Sequence, residues 1–120
     1  MQEYKIEFYA RPDGSEPAKD FILTLDAKMR AKVLRTVSLL QNAGPSLREP
    51  YSKMLDDGIF EIRTKLGSDI TRVLYFFVIG KKVILTNGFV KKTQKTPPAE
   101  IDLAKQYRAE YLSRREFSHD

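Results

Sequence analysis

The sequence predicts an α+β domain with the element order β-α-α-β-β-β-α. A small, twisted, mainly antiparallel sheet is expected to carry an N-terminal helix pair on one face and a C-terminal helix at the other. Three observations support this prediction. Residues 3–9 alternate between charged and apolar side chains, which is typical of a half-exposed strand. Apolar residues recur every three or four positions near both ends of the chain, which indicates amphipathic helices. Residues 59–90 hold three β-rich segments divided by short turn sequences, which favours consecutive hairpins.

The first half of the chain contains the two N-terminal helices. Ser15 and Pro17 mark the start of a short helix. Its apolar residues are Phe21, Ile22 and Leu25. Asp26 is placed to cap a second helix, and Gly44-Pro45 to end it. The apolar stripe of this second helix is Met29, Val33, Val37 and Leu40. Because the link between the helices is short, we expect an antiparallel pair.

The second half of the chain contains the hairpins and the last helix. Residues 45–58 are expected to form a loop that is tied to the core by Tyr51, Met54 and Leu55. Strands are expected at about 59–65, 70–79 and 82–90, with turns at Gly67-Ser68 and Gly80-Lys81. Thr96 is expected to be the N-cap of the last helix, with Pro97 in its first turn.

Length and composition limit the class of protein. The 120 residues are expected to form one domain, residues 1–120, with about 113–120 as a frayed tail. The chain has no cysteine, so neither a disulfide framework nor a thiolate metal site is possible. The N-terminal segment lacks the apolar stretch of a signal peptide, and the apolar run at 73–79 is far shorter than the roughly 20 residues of a membrane span. We therefore expect a cytoplasmic protein with no membrane contact and no cofactor.

Positive charge is concentrated in the second half of the chain. The net charge is +5, and residues 1–60 sum to zero with nine Lys or Arg and nine Asp or Glu. Residues 63–95 hold eight basic residues and one acidic residue, Asp69. A basic stripe confined to one segment is typical of proteins that bind nucleic acid. The alternative is a solvated basic surface that serves solubility.

The turn positions predict which side chains of the meander share a face. A turn at Gly67-Ser68 places Arg63 opposite Arg72, and a turn at Gly80-Lys81 places Arg72 opposite Phe89. Lys65 and Lys91 fall on the same face by parity. Directly opposed like charges destabilise a sheet, so this pair favours an anion between them. The functional interpretation is a phosphate site with Phe89 as a platform for a base. The alternative is a surface ion pair between Glu61 and Arg72.

The remaining residues of the meander predict two packed faces. The rest of the charged face is apolar, and we expect the C-terminal helix to cover it and to leave the charged end open as a cleft. These covered residues are Ile59, Leu74, Phe76 and Leu85. The opposite face is expected to pack on the helix pair. Its residues are Phe60, Ile62, Val73, Tyr75, Phe77 and Ile84.

The side chains present restrict the chemistry. The only histidine is His119, next to the last residue, and no carboxylate cluster indicates a metal site. Arginine and lysine are the side chains left to carry out the chemistry. Arginine stabilises the extra charge of a phosphoryl transition state, and a lysine among cations can act as a base. RNA supplies its own nucleophile, the 2′-hydroxyl, so a basic cleft can cleave RNA without a metal.

Two segments carry a family resemblance. The segments KMLDDGIFEIRTKLGSDITRVLYFF and LTNGFVKKTQKTPPAEIDLAKQY resemble the RelE/HigB-like toxins of type II toxin–antitoxin systems, closest to the phage-derived branch, over about residues 3–112. The resemblance implies a RelE-like fold and a metal-free, ribosome-dependent mRNA endonuclease. Attack by the 2′-hydroxyl would leave a 2′,3′-cyclic phosphate. The implied partners are the ribosome, mRNA and a cognate antitoxin, often a small helix-turn-helix DNA-binding protein.

The resemblance also implies roles for individual residues. Arg63 matches an arginine that contacts the scissile phosphate, and Arg72 matches a second basic residue on the neighbouring strand, so both are expected to hold the phosphate. Lys53 or Lys92 is the candidate proton acceptor. Residues that would hold the flanking RNA are Lys65, Phe89, Lys91, Lys92 and Lys95. The chain lacks the tyrosine of RelE at the start of the last helix and the histidines of many HigB proteins. The identity of the proton acceptor therefore stays open. Two alternatives also stay open: a ParE-like gyrase inhibitor on the same fold, and a non-catalytic nucleic-acid-binding module.

Overall fold

The computed structural model of the protein describes residues 3–91 and 95–117. These residues form three α-helices and one five-stranded mixed sheet, which confirms the α+β class. The elements in chain order are β1 (Lys5–Phe8), α1 (Pro17–Thr24), α2 (Ala27–Ala43), β2 (Ser52–Asp56), β3 (Ile59–Leu66), β4 (Asp69–Val78), β5 (Lys82–Lys91) and α3 (Pro98–Phe117). The strand order is β1-β5-β4-β3-β2, with β1 parallel to β5 and the other neighbours antiparallel. Within the described ranges, no helix has both the length and the apolarity needed to cross a membrane.

Strand β2 corrects the prediction of a loop over residues 45–58. Its residues pair with β3, and the pairing shifts register between Met54 and Asp56. An edge strand with such a bulge has no clean alternation of buried and exposed residues, so the sequence gives no strand signal there. Leu55 packs on the core, as expected, but Tyr51 and Met54 are 46% and 61% exposed. The expectation that these two residues tie the segment down is therefore wrong.

The helix ends follow from local sequence in the N-terminal half. Asp26 caps α2 as expected, because its Oδ1 accepts a hydrogen bond from the Met29 N–H at 2.9 Å. Gly44 ends α2 at a φ of 55°, and a Cβ there would overlap the Tyr4 ring, so both backbone and packing require glycine. The expected N-cap role of Thr96 is wrong. Helix α3 begins at Pro98, and the Thr96 hydroxyl donates to Glu61 instead.

The sheet separates two apolar cores. The first lies between the sheet and the helix pair, and its buried residues are Ala18, Ile22, Met29, Val33, Leu40, Ile62, Val73, Tyr75, Val83 and Leu85. The second lies between the sheet and α3, and its buried residues are Tyr9, Ile59, Leu74, Phe76, Ile84, Ala104 and Tyr107. Helix α3 therefore covers the face that the sequence assigned to it.

A bulge in β5 places two residues in the opposite core from the one predicted. Val78 pairs with Lys82, so the turn has three residues, where the prediction had two. Thr86 is then an extra residue, because Leu74 pairs with Asn87 and Tyr75 with Leu85. As a result Leu85 faces the helix pair and Ile84 faces α3, the reverse of the prediction. Beyond the bulge the register is the predicted one.

Candidate functional site

The three central strands align the charged residues as the turns predicted. Arg63 pairs with Arg72 across β3 and β4, and Arg72 pairs with Phe89 across β4 and β5. Strand β2 adds a residue that the sequence could not place, since Lys53 pairs with Glu61 on the outer side of β3. Cross-strand partners share a face, so Lys53 and Glu61 lie on the same side of the sheet. Arg63 is two residues after Glu61 on β3, so it lies on that side too.

A cavity of about 330 Å³ opens beside Arg63, between the β2–β3 edge and the start of α3. Its lining residues are Lys53, Met54, Leu55, Arg63, Lys95, Thr96 and Ile101. Three of them are predicted site residues that are distant in sequence. The lining combines cationic groups with apolar side chains, which suits a ligand that has both a phosphate and an apolar ring.

A larger depression, of about 440 Å³, lies at the other end of α3. Its charged lining groups are Glu7, Lys82, Arg114 and Arg115. The Glu7 carboxylate already accepts a hydrogen bond from the Tyr111 hydroxyl at 3.3 Å. No predicted site residue lines it, so the smaller cavity is the candidate site.

Glu61 lies beneath this cavity and is 0% exposed. Its Oε2 accepts a hydrogen bond from Arg63 Nε at 2.6 Å, and its Oε1 accepts one from the Thr96 hydroxyl at 2.5 Å. Charge-assisted hydrogen bonds of this kind are about twice as strong as neutral ones. The Arg63 side chain is 17% exposed, so it reaches the cavity while its Nε is held from below.

Arg72 is also 0% exposed, so the charged end is less open than the sequence suggested. The alternative of a Glu61–Arg72 pair at the surface is wrong, because both residues are buried. Burial lowers the pKa of Arg72, Glu61 raises it, and Arg63 lowers it further. The Arg72 guanidinium carbon lies 6.0 Å from the centre of the Phe89 ring, within the range of a cation–π contact. Phe89 is half-buried against the α3 core and does not line the cavity.

The remaining predicted residues lie at the margin of the site. Lys65 and Lys91 are exposed and flank Ile70 in the next row of the sheet. Lys95 is exposed at the rim of the cavity. Lys92 lies outside the described residues, so its predicted role is a matter of sequence alone. The structure therefore gathers Lys53, Arg63 and Lys95 and sets Lys65 and Lys91 apart from them.

Sequence reasoning missed the contact between Glu61 and Thr96. Both residues belong to the two segments that carry the family resemblance, but they lie 35 positions apart. A contact at that separation depends on where α3 docks, which local turn geometry does not determine. The available signal was that Glu61 and Thr96 are polar and lie within two residues of the predicted site residues Arg63 and Lys95.

The arrangement can bind and stabilise an anion. Within residues 3–91 and 95–117, no group of three Asp, Glu or His side chains is placed to hold a metal ion. The cations at the cavity would attract a phosphate group and repel a divalent cation. Arginine presents a planar set of donors that matches phosphate oxygens, so Arg63 is the side chain best placed to contact one.

One comparison with known proteins gives a match. The model of the family described as "Phage derived protein Gp49-like (DUF891)" matches residues 20–109. The matched segment contains both N-terminal helices in large part, strands β2 to β5 and every residue that lines the cavity. No curated protein matches the chain.

Proposed function

The chain belongs to the Gp49-like phage-derived family, a toxin–antitoxin-associated family in the RelE/HigB superfamily, and on this premise we propose that it is an mRNA-cleaving toxin. It is the toxin of a type II module, acts in the cytoplasm on translating ribosomes and inhibits translation. Its partner is a cognate antitoxin, a small helix-turn-helix DNA-binding protein. The observation that carries the proposal is the cavity in which Lys53, Arg63 and Lys95 meet above a buried carboxylate.

The proposed reaction uses the RNA's own nucleophile. The 2′-hydroxyl oxygen attacks the adjacent phosphorus, and its proton passes to a base. The bond from phosphorus to the 5′-oxygen of the next nucleotide breaks, and that oxygen takes up a proton. The products are a 2′,3′-cyclic phosphate and a 5′-hydroxyl. The phosphorane carries one more negative charge than the phosphodiester, and positioned cations stabilise it, so the reaction needs no metal ion.

Each group has a role in this reaction. Arg63 contacts the scissile phosphate with its terminal amino groups, since its Nε donates to Glu61. Arg72 stabilises the negative charge of the phosphorane without contacting it, because Arg72 is buried beneath the surface. Lys53 at the cavity, or Lys92, accepts the proton. Lys95 holds the neighbouring phosphate, and Lys65 and Lys91 extend the basic surface for flanking RNA.

Expression without antitoxin tests the proposal directly. Wild-type expression should arrest growth and leave mRNA with 2′,3′-cyclic phosphate ends. Arg63→Ala should lower the cleavage rate on programmed ribosomes by roughly 10²- to 10³-fold, the usual effect of removing one charge-stabilising donor. Arg63→Lys should not restore it, because lysine cannot reproduce the planar donor set.

Arg35→Ala is the matched control. Arg35 is exposed on α2, on the opposite face of the sheet, and its removal changes the net charge by the same amount. Equal growth arrest by the wild type and Arg63→Ala would overturn the proposal. Intact mRNA together with DNA damage would favour a ParE-like gyrase inhibitor, and no growth defect would favour a non-catalytic binding module.

A further inference from the structure

The buried carboxylate of Glu61 joins two parts of the molecule that meet at the cavity. It accepts hydrogen bonds from Arg63 Nε at 2.6 Å and from the Thr96 hydroxyl at 2.5 Å, one on each oxygen. Arg63 is two residues along the same strand, whereas Thr96 lies just before α3. Glu61 therefore links the position of Arg63 to the docking of the segment that leads into α3.

A second hydrogen-bonded contact fixes the start of α3 near the same place. Asn87 Nδ2 on β5 donates to the main-chain carbonyl oxygen of Glu100 at 3.2 Å and to its side-chain oxygen at 3.0 Å. Asn87 and Glu61 lie on either side of Leu74 in one row of the sheet. The first turn of α3 is thus attached to β5, and Thr96, two residues before the helix begins, is attached to β3, which leaves little freedom beside the cavity.

Glu61 cannot act on a substrate directly. Its side chain is 0% exposed, and each oxygen already accepts a hydrogen bond from the protein. A proton acceptor must come within about 3 Å of the hydroxyl it deprotonates, or reach it through one water. A fully buried carboxylate beneath Arg63 does not offer that surface. Any effect of Glu61 on a reaction in the cavity must therefore pass through the lining side chains that it holds, Arg63 and Thr96.

We propose that Glu61 is the positioning residue for Arg63 and that Thr96 holds Glu61 in place. The Glu61 carboxylate fixes Nε so that the terminal amino groups of Arg63 face the cavity. Thr96 makes this geometry depend on a correctly docked α3. The assignment rests on the proposed function for the nature of the anion, an RNA phosphate, but the geometry itself can be measured without RNA.

The charge of Glu61 has a second consequence at this position. Arg63 and Arg72 are directly opposed, and like charges in that relation repel. A carboxylate beside them reduces the repulsion and allows Arg63 to keep a single side-chain orientation. A neutral residue of the same shape would keep the hydrogen-bond acceptor but lose this compensation.

The kinetic experiment compares Glu61→Gln with Glu100→Gln. Both substitutions remove one negative charge close to the start of α3, but Glu100 accepts its hydrogen bond from Asn87, whereas Glu61 accepts one from Arg63. Turnover of programmed ribosomes by Glu61→Gln should fall about 10²-fold, as expected when a reacting group is misplaced by about 1 Å. Affinity for ribosomes whose mRNA carries a 2′-deoxy nucleotide at the cleaved position should stay equal or rise, because a negative charge is lost among cations. Glu100→Gln keeps the oxygen that accepts from Asn87, so it should leave turnover unchanged, and its affinity reports the effect of the lost charge alone.

Thr96 variants keep the test valid if Glu61→Gln does not fold. Thr96→Val removes the hydroxyl with little change in shape, and turnover should fall with unchanged affinity. Thr96→Ser keeps the hydroxyl and should restore turnover. Equal turnover in the wild type and Thr96→Val, or equal losses in the Val and Ser variants, would overturn the role of Thr96.

A spectroscopic measurement separates this proposal from the proposed function. The Arg63 Nε–H resonance of the ¹⁵N-labelled full chain should be shifted downfield and exchange slowly with water. It should move and exchange faster in Glu61→Gln and Thr96→Val, and stay unchanged in Glu100→Gln. An Arg63 resonance that is identical in the wild type and Glu61→Gln would overturn the positioning role even if RNA is cleaved. A wild type that shows the expected resonance but cleaves no RNA would overturn the proposed function alone.

Discussion

The two faces of the sheet use the same strands but bury different kinds of side chain. Towards the helix pair, Val73 and Leu85 are almost fully buried in an apolar core. Towards α3, the apolar core gives way to Glu61 and Arg72, which are both 0% exposed. Burying a charge costs far more than burying a methyl group unless the charge is paired. The first face therefore stabilises the fold, and burial of charge on the second carries a free-energy cost that the proposed RNA site would explain.

The polar groups of the helix-pair face support this contrast. The hydroxyls of Ser52 and Tyr75 lie 2.5 Å apart, and the Thr64 hydroxyl donates to Thr36 at 3.1 Å. Burial raises the pKa of Tyr75 to about 12, and the hydrogen bond with Ser52 acts in the opposite direction. Tyr75 therefore stays neutral at physiological pH. The buried polar groups of these two pairs are uncharged, and each pair is joined by a hydrogen bond.

The largest expected effect on stability comes from the helix-pair face. Leu85→Ala removes a side chain that is 0% exposed, and it should lower the free energy of unfolding by about 2–5 kcal/mol. Urea denaturation measures this change. RNA cleavage per folded molecule should be unchanged, because Leu85 does not line the cavity. Leu23→Ala, at a residue that is 60% exposed, is the control and should change stability by less than about 0.5 kcal/mol.

The same residue shows why part of the fold could not be predicted. Alternation along β5 is interrupted by the extra residue Thr86, and a bulge has no signature in the apolar pattern. The predicted faces of Ile84 and Leu85 were therefore exchanged. Strand β2 was missed for a related reason, since its bulge removes the alternation at an edge. Alignment of Arg63, Arg72 and Phe89 was predicted correctly, although the second turn has three residues, because the bulge restores the register.

The candidate site was predictable only where strand pairing determines it. Pairing across β3 and β4 brought Arg63 to Arg72, and short-range turn geometry is sufficient for that. The depth of Arg72 and the contact of Glu61 with Thr96 depend on how α3 packs. Docking of a helix across a sheet is a long-range event, and the residues that decide it are distributed over several elements.

The two opposed arginines should differ in their effect on stability. Arg63→Met removes the donor to Glu61 Oε2 and should lower the free energy of unfolding by about 2 kcal/mol. Arg72→Met should lower it by less than Arg63→Met does, because burial already disfavours the charged form of Arg72. Thermal unfolding of both variants at one pH and salt concentration gives the comparison. If both variants were destabilised equally, Arg72 would not be carrying a net cost of burial.

A smaller effect is expected from the lysines at the cavity. Lys95→Ala should reduce the slope of log affinity against log salt by about 0.7, the loss of one phosphate contact to a single strand. Lys53→Ala should reduce it by less, because a proton acceptor does not hold a phosphate. Anisotropy titrations of a labelled RNA at several salt concentrations measure the slope. Lys28→Ala, at an exposed position on α2, should leave the slope unchanged. A slope reduced equally by all three variants would show that net charge alone determines binding.

The smallest effect is expected at an exposed ion pair that attaches α3 to the end of β2. Lys105 Nζ lies 2.6 Å from Asp56 Oδ2, and this hydrogen bond, together with the charge of Lys105, lowers the pKa of Asp56. A carboxyl whose pKa is lower in the folded state stabilises the fold above its unfolded pKa, and this stabilisation is lost as the pH falls through the folded pKa.

Asp56→Asn should therefore lower Tm slightly at pH 7 and leave it equal to the wild type in strong acid. A double-mutant cycle with Lys105→Met isolates the pair, and 1 M salt should remove most of its coupling. RNA cleavage should not change. A loss of cleavage in Asp56→Asn would show that the middle of α3, and not only its first turn, controls the site.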